Sequence, residues 1–178
     1  DAATPENFAK ALRTVFGDHA DDAAKLFPAS TDEEARQSAT ALASDRFIAF
    51  STWKWYDLQS RTGTKPVFRY LFSRPRPGGS GAVHSGEIEY ALGNLATNTT
   101  YAWTPDDYKV SETMQSYFAN FVKTGDPNGP ALPSWPAANR SSVEPVMHLD
   151  ANTHVGFDAH RERYHFLDQF YFYARPAQ

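Results

Sequence analysis

"PVFRYLFSRPRPGGSGAVHSGEIEYALGN", residues 66–94, joins three kinds of local signal in one stretch. It opens with a short β-branched and aromatic run, 66–72, bounded by Pro66 and by the turn-rich "SRPRPGGSG", which is the signature of a strand. A glycine-bounded loop then delivers His84 into a short amphipathic segment carrying Glu87 and Glu89. This is the one convincing strand in the chain, with "VMHLD", 146–150, as a weaker candidate. A strand needs neighbours, because its backbone N–H and C=O groups are otherwise unpaired. The reading therefore places the partners of 66–72 outside these 178 residues and takes the chain as part of a larger fold.

Around this stretch the chain reads as helix. Thr4 caps and Pro5 opens a helix whose Phe8, Leu12 and Phe16 share a face, with Gly17 ending it. "ADDAAKLF" stops at Pro28, and Thr31 caps "STDEEARQSATALAS", which has acids in its first turn. Residues 45–61 hold Phe47, Ile48, Phe50, Trp53, Trp55 and Tyr56, so as a helix the segment has to be covered on most sides. The clearest period lies in 104–125, where Met114, Tyr117, Phe118, Phe121 and Val122 fall on one stripe before a stop at Gly125. Residues 126–145 form a Pro- and Asn-rich surface crossing. The last segment, 158–173, reads as a closing helix with Tyr164, Leu167, Phe170 and Tyr171 inward. There is no internal repeat, and 1–178 reads as a piece of a single domain.

Composition narrows the function classes. The chain is 41% hydrophobic and 15% aromatic, enough for a sizeable core. A net charge of −4 and a single small basic cluster, "SRPRPG" at 73–78, argue against nucleic acid as a partner. No apolar run approaches the roughly 18 residues of a membrane span, so no membrane contact is expected. Zero cysteines remove disulfides and thiolate chemistry but leave the compartment open, with a secreted or periplasmic setting preferred to the cytoplasm. The first residue is Asp1 rather than methionine, which suggests a processed or truncated piece.

Serine hydrolysis calls for a serine, a histidine and an acid, and in α/β folds the serine sits in a G-x-S-x-G elbow between strand and helix. The chain has no such elbow; "GGSGA", 78–82, is a Pro/Gly loop, and Ser80 reads as a turn residue. His148, His154, His160 and His165 cluster near the end, yet no H-E-x-x-H or i, i+4 histidine pair exists, so they read as titrating surface residues and no metal is expected. The triplets at Asn98 and Asn139 carry no weight as glycan acceptors.

Taken in order, "SDRFIAFSTWKW", "KPVFRYLF", "GAVHSGEIEYALGN", "MQSYFANFVKTGDPNG", "LPSWPAANR" and "FDAHRERYHFLDQFY" resemble successive blocks of the C-terminal portion of a type-B carboxylesterase, the cholinesterase-like branch of the α/β-hydrolases. The likeness runs from about residue 30 to the end, and the histidine and "FVKTGDPNG" blocks are its specific parts. It implies an α/β fold, here the C-terminal part of an α/β-hydrolase, and a serine ester hydrolase acting through an acyl-enzyme without a cofactor. By the G-x-x-H-x-x-E block it implies that His84 is the catalytic general base and that Val83 and Gly86 flank it where the substrate gorge is lined. Glu87 and Glu89 match the acidic pair of that block, and they are read as structural rather than as the triad acid. The serine, the oxyanion-hole glycines and the acid are implied to lie in an N-terminal part that partners this one, so the chain alone is expected to be inactive. The cholinesterase tryptophan before the histidine is replaced by "RPRPGG", which points away from choline esters toward small or aryl esters. Two other readings remain: a cholinesterase-like binding or adhesion domain without hydrolysis, which keeping His84 disfavours, and an independent small helical protein.

Overall fold

Capping chemistry sets most helix boundaries. The structure, a computed structural model, describes residues 2–173, the side chain of Tyr173 excepted, and divides them into two units, 2–64 with 159–173 and 65–158. In the first unit α1 spans Pro5–Phe16, with the Thr4 side chain accepting from the Asn7 N–H and Gly17 at φ 56° closing the helix. α2 is Ala20–Leu26, and α3, Asp32–Ser44, starts at Thr31, whose hydroxyl accepts from the Glu34 N–H. α3 runs through a single wide turn at 45–49 into α4, Phe50–Thr62, so two segments that read separately in the sequence form one continuous helical run. α7, Arg161–Asp168, closes the unit.

Its core is aromatic: Phe16 meets Phe166 and Phe170 edge-on at 5.2 and 5.0 Å, and Trp53 stacks on Tyr164 at 5.7 Å. Two ion pairs tie α7 to the long helical run, Arg163 to the buried Asp45 at 2.9 Å and Lys54 to Asp168 at 2.8 Å. Burial of α4 is narrower than its composition predicts. Phe50, Trp53 and Tyr56 are buried, whereas Trp55 is 75% and Leu58 49% exposed, so one stripe of the helix has no cover among the described residues. At the closing helix Tyr164 and Leu167 are buried and Phe170 and Tyr171 half-buried.

The second unit corrects the expectation that the strand at 66–72 lacks partners in the chain. The strand is shorter, β1 at Tyr70–Phe72, and it pairs in parallel with β2, Pro145–Leu149, placing Tyr70 opposite Met147 and Phe72 opposite Leu149. β3, His154–Phe157, pairs antiparallel with β2, giving the order β1-β2-β3. Two parallel neighbours cannot be joined by a tight turn and need a long crossover. Here the crossover is residues 73–144, and it contains the His84 loop, the short helix α5, Ile88–Ala91, and α6, Pro105–Thr124. α6 opens on a reciprocal Thr104–Asp107 capping box and ends at Gly125 in the left-handed region. Its burial stops at Tyr117: Val110, Met114 and Tyr117 join Phe72, Tyr90, Leu95, Trp135, Met147 and Leu149 in the core, while Phe121 and Val122 are exposed. Among the described residues no helix is long and apolar enough to cross a membrane.

His148 and His154, opposite each other across β2 and β3, stack with ring centroids 4.9 Å apart. Gly156 makes room for the His148 ring, because a Cβ there would stand 2.7 Å from Nε2. Burial, then the charge of His154, hold the His148 imidazole below its usual value, with Asp158 acting in the opposite sense. The folded chain thus binds a proton there less readily than the unfolded chain, and stability falls as pH drops through the ordinary histidine range near ~6.5. Thermal melts between about pH 7.5 and about pH 5 are expected to show a falling Tm, with a smaller fall in His148→Gln. Equal slopes for the two proteins would contradict this assignment.

Candidate active site

The loop that leaves the carboxyl end of β1 is flexible in composition and fixed in structure. Ser73 donates its N–H to the Leu149 carbonyl at 3.2 Å, which keeps the first residue beyond β1 beside β2. Arg74 donates from Nε to Asp107 at 2.7 Å, and Arg76 donates from Nη2 to Glu89 at 2.7 Å. Between these ties and α5 lies the turn Val83–Gly86, closed by the Gly86 N–H on the Val83 carbonyl at 2.9 Å. Ser85 takes φ 61° at the third position, in the left-handed region that a side chain adopts at some cost. Gly86 is buried, and a Cβ there would meet the Val83 carbonyl oxygen at 2.9 Å and the Phe72 ring at 3.6 Å. His84 occupies the second position of this turn and is exposed, as is Val83.

Behind the turn stands a buried polar node. Tyr90, fully buried, packs on Phe72 at 5.0 Å and donates its hydroxyl to Asp107 at 2.9 Å. Asp107, also fully buried, accepts from Arg74, from Tyr90, and from both the N–H and the hydroxyl of Thr104. Burial alone would push its carboxyl up; the hydrogen bonds from Arg74, Thr104 and Tyr90 overcome that and bring it down to about 2. The Tyr90 phenol moves the other way, raised by burial and by Asp107. Of the two family-block carboxylates, Glu89 is engaged by Arg76 and by the Asn98 side-chain amide. Glu87 lies half-buried beside an apolar groove of about 710 Å³ lined by Tyr70, Ile88, Leu92, Phe118 and Val122. Glu89 thus ties its helix to the loop through hydrogen bonds, as the structural reading expects.

Ser80 is exposed in the loop, and the described residues contain no group of three or more His, Cys, Asp or Glu side chains able to hold a metal ion. Sequence reasoning missed Arg74, Arg76 and Asp107 as parts of the site. The basic cluster "SRPRPG" reads in the sequence as too small for a nucleic-acid partner, whereas the Thr104-x-x-Asp107 spacing does announce a capping carboxylate that an arginine could share. The arrangement offers an accessible imidazole on a pinned turn at the carboxyl end of a parallel strand, which is where open α/β sheets carry their sites.

The sequence model described as the Carboxylesterase family matches residues 5–167. The chain belongs to the carboxylesterase family. It is similar to carboxylesterase 5A of Canis lupus familiaris, 36% identical over 107 residues that cover 54% of this chain and 18% of that protein. It is similar also to human bile salt-activated lipase, 45% identical over 39% of this chain and 10% of that protein, and to acetylcholinesterase of Bungarus fasciatus, 29% identical over 65% and 20%. Among solved structures, a PNB esterase superposes with a TM-score of 0.64 at 27% identity, covering 94% of this chain and 34% of that one. These matches give the chain an α/β-hydrolase architecture, of which it forms a part. Its matched region spans about a fifth of the length of the carboxylesterases to which it is similar.

Proposed function

We propose that this carboxylesterase chain is the C-terminal part of an ester hydrolase, and that it supplies His84 as general base to a serine and an acid borne by an N-terminal part of the same protein. The observation that carries this reading is the exposed His84 at the tip of the Val83–Gly86 turn, on the crossover that leaves the carboxyl end of β1. In its neutral form the imidazole takes the proton of the serine hydroxyl as the oxygen attacks the ester carbonyl. It then returns that proton to the departing alcohol oxygen, and repeats the pair of transfers with water to release the acid. Val83, exposed beside His84, contributes apolar wall to the substrate site, and Gly86 keeps the turn tight enough to present the ring.

The uncovered surfaces support the need for a partner. Trp55 and Leu58 on α4, the groove lined by Ile88, Leu92 and Val122, and the open edge of β1 are apolar or unpaired among the described residues. Exposed apolar patches mark interaction surfaces, and we assign each of these to the N-terminal part. The substrate class is a small-molecule ester without a choline headgroup. The test is p-nitrophenyl ester hydrolysis by the full-length protein, with a burst of p-nitrophenol marking acyl-enzyme formation and no turnover by residues 1–178 alone. A folded full-length protein that turns over no ester would overturn the proposal.

A further inference from the structure

We propose that the Arg76–Glu89 ion pair is a latch that positions His84, making both members positioning residues of the hydrolase; the inference rests on His84 being the general base. The two residues lie 13 apart and on either side of His84. Arg76 donates from both Nε and Nη2 to one carboxylate oxygen of Glu89, at 3.1 and 2.7 Å, while the Asn98 amide donates to the other oxygen. The guanidinium also sits over the Tyr101 ring, 5.3 Å from its centroid, and the Arg76 carbonyl accepts the Gly79 N–H at 2.8 Å, which begins the next turn. Each partner side chain is largely shielded, 25% exposed for Arg76 and 17% for Glu89, so these charge-assisted bonds are less screened than surface pairs.

The segment between them needs such a clasp. Gly78, Gly79 and Gly81 lie on the approach to His84, Gly78 at φ 84°, and such residues lose the most conformational freedom on ordering. On the far side, α5 is a single turn of helix, too short to hold itself. The latch joins the approach to that helix and closes the neck of the loop, so the His84 backbone is held from both directions. Neither residue touches substrate. Their effect is geometric, and a displacement of about 1 Å at a catalytic group costs on the order of 100-fold in rate.

The test compares Glu89→Ala, Glu89→Gln, Arg76→Ala and the exchanged pair Arg76→Glu with Glu89→Arg in the full-length protein, each checked for folding by its thermal melt. Glu89→Ala and Arg76→Ala are expected to lower kcat by about 10- to 100-fold with KM within about twofold. Glu89→Gln is expected to lose several-fold, and the exchanged pair to recover part of the kcat that either single change loses. A purely structural role would lower the melting temperature without this split or this rescue. Wild-type kcat in folded Glu89→Ala, alongside an inactive His84→Ala, would overturn the latch and leave His84 in place. Wild-type kcat in both would remove the assignment of His84 itself. Should Glu89→Ala not fold, Glu89→Gln and the exchanged pair decide: wild-type kcat in the first, or no recovery in the second, overturns the latch.

Discussion

Replacement of His84 by alanine in the full-length protein is expected to lower kcat for p-nitrophenyl ester hydrolysis by about four orders of magnitude, with the melting temperature nearly unchanged. The size follows from what the imidazole is assigned to do. A positioned general base contributes about 10² to 10⁴, and the upper end applies where one group serves both acylation and deacylation, an effect of about 5 kcal/mol on the barrier. The small effect on stability follows from exposure: His84 sits at the tip of a turn whose closing hydrogen bond runs between the backbones of Val83 and Gly86. Truncating an exposed side chain there removes no core volume. Kinetic constants with parallel thermal melts check both halves, and undiminished turnover in a folded His84→Ala protein would sink the assignment.

The largest effect on stability is expected at Asp107. Its fully buried carboxylate accepts from Arg74, Tyr90 and Thr104 together, so Asp107→Ala leaves a buried phenol without its acceptor and takes from the largely shielded Arg74 its shortest ion pair, leaving it Thr104 and Asp150. Breaking one side of a buried pair costs about 3–5 kcal/mol, which at this chain length corresponds to a fall of about 10 °C in Tm. The pH dependence follows from the lowered carboxyl. With a folded value of about 2 against an ordinary carboxyl value of 3.8, the contribution is fully present above ~4 and is lost as pH falls toward about 2. Wild type and Asp107→Asn should therefore differ most near neutrality and converge in acid. Melts of both proteins across that range measure it, and a constant difference would contradict the role given to Asp107.

Local chemistry was the legible part of this molecule. Thr4, Thr31 and Gly125 announce helix ends because a cap is a contact between near neighbours, and the structure uses all three. His84 stands out in the sequence through the block around it, and the structure places it exposed on its turn; its role as general base is the proposal. The pairing of β1 was not, because β2 lies more than 70 residues away and β3 is four residues long, with a glycine and no alternation. The histidine stack was hidden for the same reason: His148 and His154 meet only through the β2–β3 register. Apolar content showed that α4 and the end of α6 want cover, yet it could not show that Trp55 and Val122 find none within the described residues. The arginines of 73–78 read as a weak basic patch until the fold brought Asp107 and Glu89 to them.

The central claim is that His84 activates a serine lying outside these 178 residues. Labelling the full-length protein with a fluorophosphonate, which phosphonylates activated serines, and mapping the modified peptide by mass spectrometry tests it in one measurement. The account predicts one modified serine, located outside residues 1–178, and loss of labelling in His84→Ala. A label on Ser80, Ser85 or any other serine of this chain, or undiminished labelling without His84, would contradict it.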